Sequence, residues 1–501
     1  MRRKIIHKAV LLAGSAVLVE NAFALTPEDP AYYGSVYPGD VVEPVNASAQ
    51  AVAPSRAGIL ESKLEKALGP AGYLVGQTES NTEFTRAITL AVGRHPSYHA
   101  EAAGLAEGGA ARKRARAALY PQISSHVGVD YSISRAFADN TDNVVESLRP
   151  AEQVTASISA SQLIFDGGAT IQRIRSARAQ DAEIKGSLRA HINQCALDAL
   201  TTYQDVAAHQ ALLAFSKGYI ERQLKILEDV KERERLGAGS KADVTRALAR
   251  LAAAKARYAE ISESKRIADV RYSEYFDGEP PRLLRPAMAE PAVDTRADSV
   301  KSALENNPQV AIAEARADAT RADFKAARSA RLPSLKVTVD AYKYDVFDGN
   351  NDFDVRAGLA VHYDIFGGGA RAADIATARS RAERQKFQEE QVRRDVAREA
   401  GMAFERIDGA DEKLAALADA LIAHDETRDL VLERYKLSRG DLIDVLQAEN
   451  DYFEAGVAYV IALSARDMAG YALMEHTGDL IRLFSPENAY EEARYGAAAH
   501  D

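Results

Sequence analysis

The sequence is poor in cysteine, in tryptophan and in long hydrophobic runs. Its 501 residues include a single cysteine, Cys195, and no tryptophan. One thiol excludes a framework of intrachain disulfides and a zinc site built from cysteine ligands. No run of about 18 apolar residues occurs, although a helix needs about that length to cross a bilayer, so the sequence predicts no transmembrane helix.

Basic residues are also fewer than acidic ones. The chain has 63 Lys and Arg against 73 Asp and Glu, a formal net charge of −10. An acidic chain lacks the basic surface that holds nucleic acid, so we expect no nucleic-acid partner. Enzyme motifs are missing too: there is no GxGxxG after a strand, no P-loop, no HExxH and no GxSxG. We therefore expect no catalytic residue, no cofactor and no bound metal.

The N-terminus has the features of a secretory signal peptide. A basic segment over residues 2–8 precedes an apolar stretch at 9–19, and the small residues Ala22 and Ala24 flank Phe23 before a cleavage site. This pattern predicts that residues 1–24 are removed on export from a Gram-negative cell. Residues 25–80 are rich in Ala, Pro, Gly and Ser, which predicts a flexible extension without regular structure.

The chain contains one structural plan twice. Residues 163–168 (LIFDGG) resemble 364–369 (DIFGGG), and at the same offset residues 239–244 resemble 440–445. Self-similarity at a fixed offset indicates a duplicated unit. We predict a first repeat at 81–279, a proline-rich linker at 280–297, a second repeat at 298–485 and a C-terminal tail at 486–501.

Each repeat combines long helices with two amphipathic strands. Proline is absent from 151–279 and from 334–485. Stretches rich in Ala, Arg, Glu and Lys predict continuous helices over 168–235 and 369–436, each about 100 Å long. Apolar and polar residues alternate over lengths that allow a tilted strand to cross a bilayer. These strands are predicted at 122–135, 154–165, 334–345 and 354–366, with polar loops at Asp139–Asp142 and Asp348–Asp352.

The helices and strands together favour a membrane β-barrel with a long helical part. The heptad spacing of Ala410, Leu414, Leu417 and Leu421 predicts coiled-coil packing. An open sheet edge would leave backbone groups unpaired in lipid, and the smallest closed bacterial barrels have about eight strands. A chain with four strands must therefore share a barrel with other copies. A periplasmic coiled-coil scaffold would explain the helices without the strands, and a soluble sheet packed on helices is the other alternative.

These features resemble the TolC family of outer-membrane channel proteins over about residues 83–484. The motifs that carry the resemblance are Asn306-Asn307-Pro308, Leu332-Pro333-Ser334-Leu335, Ile365-Phe366-Gly367-Gly368-Gly369 and the segment from Arg434 to Leu446. The resemblance implies a mainly α fold with a membrane β-barrel part. It implies a homotrimer in outer-membrane lipid, with twelve strands in one barrel and an α-helical barrel in the periplasm. It also implies an exit channel fed by an inner-membrane transporter through a periplasmic adaptor.

The resemblance assigns adaptor docking to two turns between antiparallel helices at the periplasmic end. Glycine permits the positive φ of such a turn, and an acidic residue favours the start of the next helix. An ordinary helix turn is the alternative, and both interpretations can hold at an exposed turn. The candidate residues are Gly237, Ala238, Gly239, Ser240, Lys241, Asp243, Ser438, Arg439, Gly440, Asp441 and Asp444.

Three acidic residues before the second turn are candidates for the periplasmic entrance. The resemblance places Asp425, Glu426 and Asp429 on a helix that lines this entrance. Several copies of an acidic residue near one axis would repel one another and favour cations. A solvated helix face is the alternative interpretation of such a charge run.

The segment Glu232–Val244 resembles the variant found in outer-membrane components of type I secretion. It therefore favours protein export driven by an ABC-type transporter. Multidrug or small-molecule efflux with a proton-driven transporter is the alternative, because both processes use the same tube. Either function implies location in the outer membrane of a Gram-negative bacterium, with an extension into the periplasm.

Overall fold

A computed structural model describes most of the two repeats. The described residues are 56–72, 78–79, 81–134, 136, 152–286, 292–344, 346 and 353–485. The predicted signal peptide, the polar loops predicted at 139–142 and 348–352, and the C-terminal tail lie outside them. None of the described helices is long and apolar enough to cross a membrane.

The described residues form long helices and short strands in two similar series. The helices are α1 (Arg56–Leu68), α2 (Asn81–Arg94), α3 (Pro96–Ala117), α4 (Ala169–Arg235), α5 (Lys241–Phe276), α6 (Arg296–Asn306), α7 (Pro308–Ser329), α8 (Ala370–Lys436), α9 (Leu442–Thr477) and α10 (Asp479–Phe484). The strands are β1 (Thr78–Glu79), β2 (Gln122–Tyr131), β3 (Glu152–Phe165), β4 (Arg285–Pro286), β5 (Ser334–Lys343) and β6 (Phe353–His362). Helices α4 and α8 have 67 residues each, and α5 and α9 have 36 each, which confirms the duplication.

One compact unit comprises the described residues within 113–174 and 322–378. It contains an antiparallel sheet with the strand order β2-β3-β5-β6. The β3–β5 pair joins the two repeats, and β2 and β6 form the edges. The four strands predicted from the alternating pattern are therefore present.

The register gives this sheet one apolar and one polar face. Residues directly opposite each other in an antiparallel pair lie on the same face. The pairs Val129–Val154, Ala160–Val339 and Val337–Leu359 lie on one face, and Ser159–Asp340 and Asp340–Arg356 lie on the other. Large apolar side chains of β2 and β6 are solvent-exposed in the single chain. This sheet therefore has an apolar surface and two edges that its own chain leaves uncovered among the described residues.

Three strands end earlier than the sequence pattern predicts. Strand β5 ends at Lys343 rather than residue 345, opposite Phe353 at the start of β6. Strand β6 was expected to reach residue 366 but ends at His362, which pairs with Ser334 at the start of β5. The residue before Ser334 is Pro333, which has no N–H to continue the ladder. Strand β2 ends at Tyr131 rather than residue 135, because its partner β3 begins at Glu152.

The second compact unit comprises the described residues within 52–112, 175–321 and 379–485. Its core has two large clusters. One surrounds Phe84, whose ring centroid lies 5.0 Å from that of Tyr203. The other includes Tyr219 and Phe453, whose rings stack at 4.3 Å, and the fully buried Leu421 of the predicted heptad series. The long helices therefore pack through apolar stripes, as the heptad spacing predicts.

Helix α1 lies in the segment that was predicted to be a flexible extension. Leu64, Ala67 and Leu68 of α1 are buried, as is Ala71 in the short 3₁₀ turn Gly69–Ala71 that follows. The spacing of i, i+3 and i+4 places the first three on one face of α1. The prediction for residues 25–80 is therefore wrong for residues 56–72, because a short apolar face outweighs the polar composition around it. It is also wrong for residues 78–79, which form β1.

The proline-rich linker is held against the helices. The Gln210 side chain accepts a hydrogen bond from the Leu283 N–H at 3.0 Å and donates one to the Pro281 carbonyl at 2.8 Å. Strand β4 pairs in parallel with β1. Arg285 of β4 makes an ion pair with Asp467 of α9. Residues 281–286 of the linker are therefore an ordered part of the helical unit.

Candidate functional site

The turn between α4 and α5, residues 236–240, ends the first helix with a Schellman motif. The Ala238 N–H donates to the Arg233 carbonyl at 2.8 Å, and the Gly237 N–H donates to the Glu234 carbonyl at 3.0 Å. Gly237 has φ +79°, a conformation that glycine adopts without steric cost. The sequence-based expectation of a glycine turn holds at this position. We call residues 236–240 the first turn.

The turn between α8 and α9, residues 437–441, has the same hydrogen bonds. The Arg439 N–H donates to the Arg434 carbonyl at 2.9 Å, and the Ser438 N–H donates to the Tyr435 carbonyl at 3.0 Å. The residue with positive φ is Ser438, at +59°, and not Gly440. We call residues 437–441 the second turn. The two turns therefore share a backbone geometry although one uses serine where the other uses glycine.

Gly239 and Gly440 occupy equivalent places in the two turns, but only Gly239 approaches the preceding helix tightly. A Cβ atom on Gly239 would lie 3.1 Å from the Glu234 nitrogen, which is tighter than most real Cβ contacts. A Cβ atom on Gly440 would lie 3.4 Å from the Tyr435 nitrogen, an ordinary van der Waals distance. Gly239 therefore serves the close approach of backbone segments rather than a positive φ.

The helices that follow the two turns begin differently. The Ser240 hydroxyl accepts a hydrogen bond from the Asp243 N–H at 3.2 Å and donates one to the Asp243 carboxylate at 2.7 Å. The hydrogen bond from Ser240 lowers the pKa of Asp243, and Arg246 adds to this effect. The Ser240 backbone N–H also donates to the Asp243 carboxylate at 3.3 Å, and this bond and the one from the Asp243 N–H form a capping box at the start of α5. Asp441 starts α9 without a side-chain cap bond.

We expect Ser240→Ala to weaken the first turn of α5 by about 1 kcal/mol, because it removes the capping hydroxyl. The equivalent change Asp441→Ala removes no cap bond and should cost about 0.3 kcal/mol through the helix dipole. Hydrogen–deuterium exchange at the amides of 241–246 and 442–447 measures both effects. Equal acceleration at the two helix starts would contradict the assigned cap.

The two turns are linked by one arginine. The Arg233 Nη2 donates to the Tyr435 carbonyl at 3.0 Å, and its guanidinium carbon lies 4.1 Å from the centroid of the Tyr435 ring. A cation above an aromatic ring is attracted to it, and the end of α8 offers carbonyls without intrahelical partners. Burial raises the pKa of Tyr435, and the charge of Arg233 opposes this rise. This link between the repeats was not predicted from the sequence.

Most of the candidate docking residues are accessible. Asp243 and Gly440 are half-buried and the other nine are exposed. Leu236 and Leu437, which were not predicted as candidates, occupy equivalent positions and are 65% and 62% exposed. Paired exposed leucines at two matching turns form small apolar patches of the kind that partners cover. The sequence offset that relates the two repeats also separates Leu236 from Leu437, and this match could have identified both leucines.

The acidic candidates of α8 each have a basic partner. Arg428 Nη2 lies 2.8 Å from the Asp425 carboxylate and 2.7 Å from that of Asp429. Lys63 Nζ lies 3.6 Å from the Glu426 carboxylate. The Asp425 side chain is only 14% exposed. Its burial raises its pKa, and Arg428 opposes the rise. Asp425 is therefore covered, whereas Glu426 and Asp429 present their carboxylates at the surface of this chain.

A buried tyrosine connects these acids to two other helices. The guanidinium carbons of Arg428 and Arg222 lie 4.2 Å and 4.9 Å from the Tyr452 ring centroid. Arg222 also donates to the buried Glu449 carboxylate at 3.0 Å. We call Arg222, Asp425, Arg428, Glu449 and Tyr452 the charge network. It joins α4, α8 and α9, and Asp425 is its only member that the sequence indicated.

Comparison with known proteins gives the family of this chain. The family model for outer membrane efflux proteins matches residues 87–272 and 299–479, which lie in the two repeats. Outer membrane efflux protein BepC of Brucella suis is 24% identical over 430 residues, covering 85% of this chain and 91% of that protein. Protein CyaE of Bordetella pertussis is 23% identical over 406 residues, covering 79% and 84%.

Solved structures share the fold. The outer membrane protein VceC of Vibrio cholerae aligns with a TM-score of 0.70 at 16% identity, over 80% of this chain and 99% of that chain. The CmeC outer membrane channel of Campylobacter jejuni aligns with a TM-score of 0.69 at 13% identity, over 88% and 94%. The TolC-like fold predicted from the resemblance is therefore confirmed. The chain belongs to the outer membrane efflux protein family, and it is an outer-membrane channel protein, not an enzyme, that extends into the periplasm of a Gram-negative bacterium.

Proposed function

We propose that this outer-membrane exit channel serves type I protein secretion as a homotrimer. The observation that favours secretion is the first turn with its flanks, Glu232–Val244, which resembles the type I variant and begins α5 with a capping box. An ABC-type transporter in the inner membrane would drive this export. The second candidate is multidrug or small-molecule efflux with a proton-driven transporter, and the name of the relative BepC, an outer membrane efflux protein, supports efflux in general.

The sheet supports the trimeric assembly. Its apolar face is exposed, and strands β2 and β6 each pair on one side only among the described residues. Lipid satisfies apolar side chains but not backbone N–H and C=O groups. Pairing of β2 in one chain with β6 in the next would cover both edges. Three chains would then form one closed barrel of twelve strands.

The proposed docking surface for the periplasmic adaptor consists of the first and second turns. Both turns have the same backbone hydrogen bonds and an exposed leucine, so an adaptor could recognise them in the same manner. Ser240, Lys241, Arg439 and Asp441 provide polar groups beside these leucines. In a trimer each turn would be present three times.

We expect Leu236→Asp combined with Leu437→Asp to abolish adaptor binding, because a carboxylate cannot enter an apolar contact without a large desolvation cost. The measurement is co-purification of the channel with its adaptor after cross-linking in cells. The control is Val270→Asp, which places the same charge at another exposed apolar position, in α5. Normal adaptor capture by the double variant would contradict docking at the turns.

The proposed periplasmic entrance uses the acidic side chains of α8. Glu426 and Asp429 are the stronger candidates, because Asp425 is covered by Arg428. Exposed carboxylates near a symmetry axis would attract cations. Replacing both by Glu426→Gln and Asp429→Asn should lower the cation selectivity of single channels in planar bilayers. Unchanged selectivity would remove these residues from the entrance.

The choice between secretion and efflux is tested in cells that lack the channel gene. Secretion predicts that one or a few proteins disappear from the culture medium and that the wild-type gene restores them. Accumulation of ethidium, a common efflux substrate, should change less than about twofold. Efflux predicts the reverse: higher ethidium accumulation with an unchanged set of proteins in the medium.

A further inference from the structure

Helix α1 packs into a groove formed by three long helices of its own chain. Leu68 of α1 is 0% exposed, and Leu64 and Ala67 are also buried. Ala71, in the 3₁₀ turn that follows α1, is 0% exposed as well. Their cluster includes Phe215 of α4, Leu421 of α8 and Phe453 of α9. One short amphipathic helix therefore contacts elements of both repeats.

Helix α1 also makes polar contacts with Tyr452 of the charge network and with an acidic residue beside the network. The Tyr452 hydroxyl donates a hydrogen bond to the Ala67 carbonyl in the last turn of α1. Lys63 pairs with Glu426 of α8. Burial raises the pKa of Asp425, and the positive charges of Arg428 and Lys66 oppose that rise. Helix α1 therefore covers Tyr452 and adds positive charge beside the acidic residues.

We propose that α1 is a releasable strap, which holds α4, α8 and α9 together beside the charge network and loosens them when it detaches. The apolar cluster under α1 would then be open to water, and the Tyr452 hydroxyl would lose its carbonyl acceptor. This role goes beyond the channel activity of the family. It assigns a function to the segment that precedes the first repeat.

The size of α1 makes it releasable. It has 13 residues, and isolated helices shorter than about 12–15 residues are marginal in water. Its stability therefore depends on docking, unlike that of the 67-residue helices beneath it. Such weakly held elements open at a lower free energy than the core.

The strap stays attached to the chain when it opens. Strand β1 follows it and pairs in parallel with β4, with Thr78 opposite Arg285. A tethered segment rebinds at a high effective concentration. Opening and closing of α1 is therefore reversible, and a partner that captured α1 would shift the balance toward the open form.

The test compares two aspartates on the same helix in the full-length, detergent-purified channel. Ala67→Asp buries a charge under α1, whereas Ser62→Asp puts the same charge on its exposed face. In Ala67→Asp we expect hydrogen–deuterium exchange to accelerate at least tenfold at residues 61–68 and at least threefold at 419–430 and 449–458. Ser62→Asp should leave all three segments unchanged. Faster exchange confined to 61–68 would show that α1 is a passive appendage and overturn the proposal.

A second variant covers the case in which Ala67→Asp fails to assemble. Tyr452→Phe removes only the hydroxyl that donates a hydrogen bond to the Ala67 carbonyl of α1. It keeps the aromatic ring that Arg222 and Arg428 contact. We expect exchange at 61–68 to accelerate about fivefold, and unchanged exchange there would contradict the strap. Absence of any conductance in the unmodified protein would count against the channel function, while the exchange rates would still decide on the strap.

Discussion

Replacement of Asp467 by alanine is expected to lower the free energy of unfolding of the helical unit by about 3–5 kcal/mol. The Asp467 side chain is 1% exposed and accepts two hydrogen bonds from Arg285, at 2.7 Å and 2.8 Å. Gln204 donates a third at 3.1 Å. Truncation would leave the Arg285 charge without its carboxylate and would release β4 from α9. Guanidinium unfolding of the purified channel, followed by helical circular dichroism, measures the loss.

An exposed ion pair of the same type is the matched control. Arg466 contacts Asp411 at 2.5 Å, but 47% of the Asp411 side chain is accessible to solvent. Solvent screens such a pair, so Asp411→Ala should cost less than about 1 kcal/mol. The double change Arg285→Met with Asp467→Leu should recover most of the loss, because it leaves no unpaired charge. Equal losses for Asp467→Ala and Asp411→Ala would refute the structural role of the buried pair.

Substitution of two helical glycines by alanine is expected to change stability in opposite directions. A Cβ on Gly456 of α9 would lie 2.3 Å from two atoms of the Phe215 ring. Gly456→Ala should therefore overpack the contact between α4 and α9 and cost about 1–3 kcal/mol. A Cβ on Gly409 of α8 would meet nothing within 4 Å. Gly409→Ala should stabilise its helix by about 1 kcal/mol, since alanine favours helix more than glycine.

The same unfolding measurement compares the two variants. A second change, Phe215→Leu, makes room for the new methyl group and should reduce the cost of Gly456→Ala. The double-mutant cycle isolates the contact between positions 215 and 456 from the general effect of alanine. Stabilisation by both alanines, or an unchanged cost in the Phe215→Leu background, would show that the two helices do not meet at this contact.

The strands and long helices followed from local patterns. The alternation of apolar and polar residues with period 2 can be recognised without knowing which strands pair. The observed pairing places Val337 opposite Leu359 on one face, as such a pattern requires. The end of β6 depended on its neighbour, because pairing stops where Pro333 precedes β5. A strand boundary is thus a property of two segments, and one segment alone predicted it incorrectly.

The site was less predictable than the fold. Glycines that interrupt the helical pattern at two equivalent places predicted the turns. A serine does not indicate a positive φ, so the conformation of Ser438 could not be predicted. The charge network joins Arg222, Arg428 and Tyr452, which are distant in sequence and meet only after helix packing. Helix α1 was missed because three apolar residues are a weak signal until the groove that buries them is known.

The native mass of the protein extracted from an outer-membrane fraction tests the central claim most directly. A chain with four strands, two open edges and an apolar face should be extracted as a homotrimer, and native mass spectrometry should find about three times the mass of the processed chain. Cross-links between β2 of one chain and β6 of another should appear in this species. A single-chain mass in the soluble periplasmic fraction, with no membrane-bound form, would contradict the shared barrel and the exit channel built on it.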